Sequence, residues 1–203
     1  MFTGIVTDLG EILSSDDIPA GKRTRVRTAY DTDTFDIGAS ISCGGVCHTV
    51  TAKRNGPDGN WFEIESAAET LALTNVKDWK AGQRINLERS LTMGAELGGH
   101  LVLGHVDGLA RVTERQDHPD SVLFRFEAPP EAAPFIAKKG SVALDGTSLT
   151  VNDVDGLLFS VFLIPHTLEV TTWSARQVGD MINLEVDMMA RYAGRLAEFS
   201  RSG

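Results

Sequence analysis

The chain contains Gly38-Ala39-Ser40-Ile41-Ser42-Cys43-Gly44-Gly45-Val46-Cys47-His48-Thr49-Val50 and, about a hundred residues later, Gly140-Ser141-Val142-Ala143-Leu144-Asp145-Gly146-Thr147-Ser148-Leu149-Thr150-Val151. Two further pairs recur in the same order: Phe62-Glu63-Ile64 with Phe159-Ser160-Val161, and Ile85-Asn86-Leu87-Glu88 with Ile182-Asn183-Leu184-Glu185. Three blocks that return at nearly constant spacing indicate a tandem duplication, since solenoid repeats recur every ~20–50 residues. The sequence therefore predicts two similar domains with two similar ligands.

The composition is that of a soluble globular protein whose 203 residues suffice for two domains, each with its own core. A net charge of −9, with 19 scattered Lys and Arg residues, argues against nucleic-acid binding, which needs clustered cations. The chain has neither an apolar run of transmembrane length nor the basic and apolar stretches of a signal peptide. We therefore expect a cytoplasmic protein that has reduced cysteines, binds a small molecule and does not bind a membrane.

Both halves consist of short runs rich in Val, Ile, Phe and Thr that are separated by Gly, Asp and Pro. This pattern is typical of small antiparallel sheets closed into barrels, with about six strands in each half. In the first half, the predicted strands are Thr24–Ala29, Ser40–Ser42, Val46–Ala52, Trp61–Ser66 and Arg84–Arg89. Short helices are predicted over Ala67–Asn75 and Glu131–Lys138.

The glycine-rich segment Ser90–Gly99 marks the boundary between the two modules. Gly4-Ile5-Val6 near the start of the first module matches Gly104-His105-Val106 in the second. We therefore expect one barrel over 1–97 and a second over 98–186. The first module then begins at Met1, which leaves no room for a tag or targeting segment.

The last segment, 187–203, belongs to neither repeat. Its residues Met189, Tyr192, Leu196 and Phe199 follow the spacing of an apolar stripe on a helix. We expect this C-terminal helix to mediate self-association, because the stripe has coiled-coil-like spacing and the helix is not repeated. The alternative is that the stripe packs on its own barrel.

Cys43-Gly44-Gly45-Val46-Cys47-His48 resembles a metal or haem site only superficially. The cysteines are separated by three residues rather than the two of a c-type haem motif. The second module has Leu144, Ser148 and Leu149 at the matching places, and a fourth soft ligand is lacking nearby. We therefore expect no metal.

Cys47 with Thr49, and Ser148 with Thr150, are small polar pairs at equivalent positions. Residues two apart in a strand point to the same face, so each pair can contact a flat heterocycle. Gly45 and Gly146 beside them would let a ring approach the backbone closely. The alternative is a polar barrel interior without a ligand.

His100 and His105 lie at the entrance of the second module, where the first has no histidine. Histidine moves protons near neutral pH, so this asymmetry predicts that one of two bound molecules loses a proton. A structural role for either histidine stays open. Likewise, Asp145 can shape a turn and Asp187 can cap the final helix.

Four motifs together resemble the riboflavin synthases of the alpha-chain type, and they cover essentially the whole chain in order. They are Met1-Phe2-Thr3-Gly4-Ile5-Val6, the Gly-Gly-His-Leu…Gly-His segment at 98–105, Asp145-Gly146-Thr147-Ser148-Leu149-Thr150-Val151, and Leu163-Ile164-Pro165-His166-Thr167-Leu168-Glu169. The resemblance implies an all-β fold of two tandem six-stranded Greek-key barrels plus a C-terminal α-helix, assembled as a homotrimer. It also implies a transferase without metal or organic cofactor. Two molecules of 6,7-dimethyl-8-ribityllumazine dismutate at each site by four-carbon transfer, giving riboflavin and 5-amino-6-(D-ribitylamino)uracil.

The resemblance further implies two half-sites and a set of residues associated with activity. The first half-site would comprise Gly4, Ile5, Val6, Cys47, His48, Thr49, Glu65, Ser66, Ala67, Ala68, Glu69 and Thr70. The second would comprise Gly104, His105, Val106, Lys139, Ser148, Leu149, Thr150, Phe162, Leu163, Ile164, Pro165, His166 and Thr167. The activity-associated residues would be Phe2, Ser40, Cys47, His100, His105, Asp145 and Asp187, with a histidine as the proton-transfer residue. Whether His48 faces the ligand stays open.

Two other classes of protein use this kind of barrel. One is a non-catalytic, antenna-type lumazine- or flavin-binding protein; the retained Phe2-Thr3-Gly4, His100 and His105 favour the enzyme. The other is the flavin domain of a reductase, but no nucleotide-binding module follows here.

Overall fold

Each half of the repeat forms a closed barrel of six antiparallel strands in the computed structural model, which describes residues 1–57 and 59–201. The first barrel contains β1 (Asp8–Ile18), β2 (Gly21–Thr28), β3 (Ser40–Cys43), β4 (Val46–Arg54), β5 (Asn60–Ala67) and β6 (Arg84–Arg89). The second contains β7 (Gly108–His118), β8 (Ser121–Glu127), β9 (Ser141–Leu144), β10 (Thr147–Asp155), β11 (Leu158–Leu163) and β12 (Met181–Val186). The second strand of each barrel pairs with the fifth, and the sixth closes the barrel against the first and third. The predicted fold is confirmed.

Three α-helices accompany the strands in the described residues: α1 (Ala68–Leu73), α2 (Pro165–Val170) and α3 (Met188–Arg201). The helix predicted over Ala67–Asn75 is present but shorter, and a 3₁₀ turn at Asn75–Asp78 follows it. The prediction over Glu131–Lys138 is wrong, since only a 3₁₀ turn at Ala133–Phe135 forms there. Pro134 lacks the N–H that a continuing helix needs.

Burial alternates along the strands that carry the repeated motif. In β4, Val46, His48 and Val50 point into the barrel, whereas Cys47 is half-buried and Thr49 is exposed. The same alternation in β10 leaves Ser148 half-buried and Thr150 exposed. The prediction that each polar pair shares one face is confirmed, and that face is the outer one, so the alternative of a polar barrel interior is wrong.

The two barrels are joined by backbone and side-chain contacts that repeat about a pseudo-twofold axis. Phe2 and Val102 exchange two backbone hydrogen bonds, of 2.7 Å and 3.1 Å. Asn86 donates to the carbonyl of Asp145 at 2.9 Å, and its twin Asn183 donates to the carbonyl of Gly44 at 2.7 Å. The asparagines of the repeated Ile-Asn-Leu-Glu blocks therefore hold the barrels together.

Gly45 and Gly146 face each other across this junction. A Cβ on Gly45 would lie 2.5 Å from the backbone nitrogen of Gly146, and one on Gly146 would lie 2.9 Å from that of Gly45. The expectation that these glycines admit a ligand ring is therefore wrong. They allow the two barrels to approach each other.

Helix α3 packs on the second barrel through Gly194, where a Cβ would lie 2.3 Å from the Phe135 ring. Its apolar stripe points away from that contact: Met189, Tyr192, Leu196 and Phe199 are 55–74% exposed. The alternative that the stripe packs on its own barrel is wrong. None of the described helices has the length and apolarity needed to cross a bilayer.

Candidate functional site

In each module, the segment around one glycine, Gly4 in the first module and Gly104 in the second, contacts the other barrel. We call these two segments the crossing segments. The carbonyl of Gly4 accepts a hydrogen bond from the amide of Ser148 at 2.8 Å. The carbonyl of Gly104 accepts one from the amide of Cys47 at 2.9 Å. The grouping of Gly4 with Cys47 and of Gly104 with Ser148 is therefore wrong: the structure brings Gly4 to Ser148 and Gly104 to Cys47, because the modules exchange these segments.

Gly4 and Gly104 are required by this exchange. Both lie in the left-handed region, with φ of 75° and 76°. A Cβ on Gly4 would lie 2.5 Å from Cβ of Ser148, and one on Gly104 would lie 2.7 Å from Cβ of Cys47. A side chain at either position would push the barrels apart.

We expect Gly104→Ala to lower the free energy of unfolding by about 2–5 kcal/mol, since it adds overpacking to the strain of a positive φ. The matched control is Gly82→Ala, because Gly82 has a φ of 85° but no atom within 4 Å of the added Cβ. The control carries only the backbone strain of about 1–2 kcal/mol. Urea unfolding of the three proteins measures the difference, and equal effects of the two substitutions would contradict the contact.

Cys47 and Gly104 line a cleft that has a volume of about 250 Å³. This volume is below the ~300–1,000 Å³ of most ligand pockets, so the cleft encloses only part of a ligand. Besides these two residues, the cleft is lined by Val46, Glu69, Thr70, Leu73, Thr74, His105 and Val106. We call it the Cys47 cleft. It combines Cys47, Glu69 and Thr70 of the first predicted half-site with Gly104, His105 and Val106 of the second.

His48 does not face this cleft, because its imidazole lies inside the first barrel and is only 4% exposed. Nδ1 lies 3.1 Å from the carbonyl oxygen of Val46, and Nε2 lies 2.8 Å from Oγ of Ser66. Burial lowers the pKa of His48 to about 4, so the ring is neutral at pH 7. Only its backbone is available to a ligand.

This burial predicts a pH-dependent stability. Because the pKa of His48 is lower in the folded state than in the unfolded chain, its neutral form contributes stability that is present above pH 6.5 and declines from there towards pH 4. The loss amounts to about 3 kcal/mol. We expect His48→Gln to flatten the fall in unfolding free energy between pH 6.5 and 4, measured by urea titration. Parallel curves for the two proteins would contradict this assignment.

The counterpart of the Cys47 cleft holds an imidazole–hydroxyl pair. Nδ1 of His100 lies 2.7 Å from Oγ of Ser148, and the His100 amide donates to the carbonyl of Thr3 at 3.1 Å. Burial lowers the pKa of His100 below its ordinary value, while the charge of Asp187 acts in the opposite direction. The carboxylate of Asp187 also accepts from the amide of Met189 at 2.8 Å, as the predicted cap of α3.

His105, the other predicted proton-transfer residue, is exposed and lines the Cys47 cleft. Its amide donates to Glu185 at 3.0 Å. Its carbonyl accepts from the guanidinium of Arg191 at 3.4 Å, and Arg191 also pairs with Asp107 at 3.0 Å. Helix α3 is therefore tied to the segment that forms one wall of the cleft.

Phe2 and Asp145, two residues predicted to be associated with activity, have structural contacts. Phe2 is fully buried and packs between the barrels against Val102 and Ala143. The Asp145 carboxylate is buried and accepts from Arg176 at 2.6 Å, from the Asn183 amide at 2.9 Å and from the Asn75 side chain at 3.2 Å. Burial raises the pKa of Asp145, and its charged and hydrogen-bonded neighbours lower it in part. With a φ of 44°, Asp145 also occupies a turn, as the alternative reading expected.

Ser40 pairs with Thr49 across β3 and β4, and its carbonyl accepts from Ser90 at 2.7 Å. Lys139 is exposed and has a φ of 67° at a place where the first barrel has Gly38. Such strain in a non-glycine residue is common at functional sites. The amide of Lys139 donates to the carbonyl of Val151 at 2.8 Å.

Two of the predicted binding segments, which we call the strips 65–70 and 162–167, lie at equivalent junctions of strand and helix. In the first, Glu65 pairs with Arg23 at 2.8 Å, Ser66 is buried against His48, and Ala67 and Ala68 are exposed. In the second, Phe162, Ile164, Pro165 and His166 are exposed, Thr167 is half-buried and Leu163 is buried. Among the other predicted binding residues, Leu149 points into its barrel and Val106 packs on the core of the first barrel. Ile5 is exposed and Val6 is half-buried.

Sequence reasoning did not single out Glu88 and Glu185, although both end a repeated block. Each is buried and accepts hydrogen bonds from one of the crossing segments. The repeat itself was the available signal. Across 1–57 and 59–201, no three His, Cys, Asp or Glu side chains are arranged to hold a metal ion.

Comparison with known proteins places these features in a family. The chain matches the lumazine binding domain family twice, over residues 3–90 and 103–187. It is 54% identical to the riboflavin synthase of Brucella abortus, with 99% of this chain and 100% of that protein covered. It is 39% identical to the riboflavin synthase of Mycobacterium bovis, with 97% of this chain and 98% of that protein covered.

Two solved structures have the same fold at low identity. LumP complexed with riboflavin matches with a TM-score of 0.78 and 20% identity, covering 92% of this chain and 99% of that one. LumP complexed with 6,7-dimethyl-8-(1'-D-ribityl) lumazine matches with a TM-score of 0.77 and 19% identity over the same shares. The matches over the whole length, with both lumazine binding domains present, show that the chain belongs to the riboflavin synthase family.

Proposed function

We propose that the protein is a riboflavin synthase that dismutates two molecules of 6,7-dimethyl-8-ribityllumazine. One molecule gives a four-carbon unit to the other, so that the products are riboflavin and 5-amino-6-(D-ribitylamino)uracil, and all atoms of the two substrates are retained. The full-length riboflavin synthase relatives support this enzyme over an antenna-type binding protein.

The observation that carries the proposal is the pair of twinned but unequal sites. Each site combines the crossing segment of one module with a small polar residue of the other module. That residue is Cys47 in one site and Ser148 in its twin. Two related sites suit two copies of one substrate. Only the Ser148 site places an imidazole in hydrogen-bond contact with that polar residue, which suits a reaction in which the two copies have different roles.

The chemistry begins with loss of a proton from the 7-methyl group of one lumazine, whose ring delocalises the resulting carbanion. His100 is suited to take this proton, since its lowered pKa leaves the imidazole neutral at pH 7. Ser148 orients the ring of His100 through Nδ1. The carbanion then adds to the partner lumazine, for which Cys47 or Ser40 is the proposed assisting group, and holding two rings in register supplies much of the acceleration.

The substrate-binding set keeps the residues predicted from the sequence, regrouped by the segment exchange. Gly4-Ile5-Val6 joins Ser148-Leu149-Thr150 and the strip 162–167. Gly104-His105-Val106 joins Cys47-His48-Thr49 and the strip 65–70. Lys139 is proposed to contact the ligand from its strained position. We propose that Phe2, Asp145 and Asp187 affect activity indirectly, by stabilising the structure around the sites.

We also propose that the protein is a cytoplasmic homotrimer assembled through α3. The exposed apolar stripe supports assembly, and the small volume of the Cys47 cleft supports a site completed by a neighbouring subunit. The proposed units are a barrel over 1–97, a barrel over 98–186 and an oligomerisation segment over 187–203. Arg191 would couple assembly to the wall of the cleft.

The test is to incubate the purified protein with 6,7-dimethyl-8-ribityllumazine and to follow flavin absorbance. We expect one riboflavin for every two lumazines consumed, with no added metal or cofactor. Tight binding without turnover would assign the protein to the antenna class instead.

A further inference from the structure

Two buried carboxylates occupy equivalent places in the two barrels. Glu88 lies near the end of β6 and is 5% exposed, and Glu185 lies near the end of β12 and is 2% exposed. A carboxylate that is removed from water is costly unless hydrogen bonds replace its hydration. Each of the two accepts three hydrogen bonds, all from the crossing segment of its own module.

Glu88 organises the site on the second barrel. Its Oε1 accepts from the amide and hydroxyl of Thr3 at 2.6 Å and 2.7 Å, and its Oε2 accepts from the amide of Gly4 at 2.9 Å. The carbonyl of Thr3 then accepts from His100, and that of Gly4 accepts from Ser148. One carboxylate therefore fixes the backbone anchors of both members of the imidazole–hydroxyl pair.

Glu185 organises the Cys47 cleft in the same way. Its Oε1 accepts from the amide of Leu103 at 2.8 Å, and its Oε2 accepts from those of Gly104 and His105 at 2.8 Å and 3.0 Å. Gly104 in turn accepts from the amide of Cys47. The carboxylate of the second barrel thus holds the wall of a cleft to which the first barrel contributes the Cys47 thiol.

We propose that Glu88 and Glu185 are positioning residues for the reaction, and that each sets the geometry of the ligand site on the opposite barrel. This inference rests on the proposed riboflavin synthase function. Neither carboxylate touches the reacting atoms; each acts through a backbone segment. The two sites would therefore be tuned by different carboxylates, Glu88 for His100 and Ser148, and Glu185 for Cys47 and His105.

The isosteric variants Glu88→Gln and Glu185→Gln test this assignment. An amide has one acceptor oxygen, so its NH₂ group would face a backbone N–H and the segment would shift. A displacement of about 1 Å at a reacting group can cost about 100-fold in rate. The matched controls are Glu11→Gln and Glu127→Gln, which lie on the same two barrels but form exposed ion pairs with Arg27 and Arg111.

We expect each buried variant to lower kcat by about 10–100-fold and the controls to leave it unchanged. Only Glu88→Gln should also move the acid limb of the pH profile, because only Glu88 holds His100. Only Glu185→Gln should weaken binding at the Cys47 cleft, seen by calorimetry as a raised Kd for one of the two lumazines. Unfolding free energies are measured in parallel, and the aspartate variants, shorter by one methylene, are expected to show the same pattern if a glutamine variant does not fold.

Buried variants that match the controls would overturn the inference, and so would variants that lose stability and activity together without either site-specific effect. A wild-type protein that does not convert the lumazine would instead overturn the proposed function.

Discussion

Replacement of His100 by Gln is expected to lower kcat by about 100-fold or more while KM changes little. A positioned general base contributes about 10²–10⁴-fold to a rate, and His100 is the imidazole that contacts Ser148. Because burial lowers the pKa of His100, the wild-type rate should be constant near neutrality and should fall with acid below pH 6.5, as the base becomes protonated. The variant should lack this limb. Steady-state flavin formation between pH 4.5 and 8 measures both effects.

A double-mutant cycle with Ser148→Ala separates this role from a general loss of structure. Loss of one neutral hydrogen bond is worth about 1 kcal/mol, so Ser148→Ala alone should lower kcat by about fivefold to tenfold. In the His100→Gln background it should add almost nothing, because the two side chains act as a unit. Additive effects would contradict the coupling of the two side chains, and a His100→Gln protein with the wild-type acid limb would contradict proton transfer by His100.

A negative charge in the apolar stripe of α3 is expected to dissociate the proposed trimer and abolish most of the activity. Leu196 is 69% exposed in the single chain, and burying such a side chain contributes about 1.5–3 kcal/mol for each subunit. Leu196→Glu would place a carboxylate in each copy of that contact. Light scattering after gel filtration should show a monomer, and kcat/KM should fall by about 100-fold or more if sites are completed between subunits.

The control for this prediction is Arg195→Glu on the same helix. It introduces the same carboxylate at a charged side chain that is 74% exposed and is not one of the four apolar residues of the stripe. We expect this variant to keep the proposed trimeric assembly and wild-type activity. A Leu196→Glu monomer with full activity would contradict the shared site, and a Leu196→Glu trimer would contradict assembly through the stripe.

Much of the fold could be read from the sequence because local patterns report local structure. Alternating residues in Val46–Ala52 predicted a strand whose polar pair shares one face, and the repeat predicted two equivalent barrels. The helix predicted near Glu131 failed because Pro134 interrupts the hydrogen-bond ladder. His48 illustrates a further limit, since the sequence left its orientation open and the structure places its imidazole inside the barrel against Ser66.

The sequence by itself determined the duplication, the strand content, the apolar stripe of the last helix and the residue types available for chemistry, because each depends on neighbours in the chain. Only the tertiary structure decided which residues share a site. Gly4 meets Ser148 and Gly104 meets Cys47 because the two modules exchange segments across their interface. That exchange depends on contacts between residues far apart in the chain, with glycines that admit a neighbouring backbone and carboxylates that hold the crossing amides, and no local pattern encodes it.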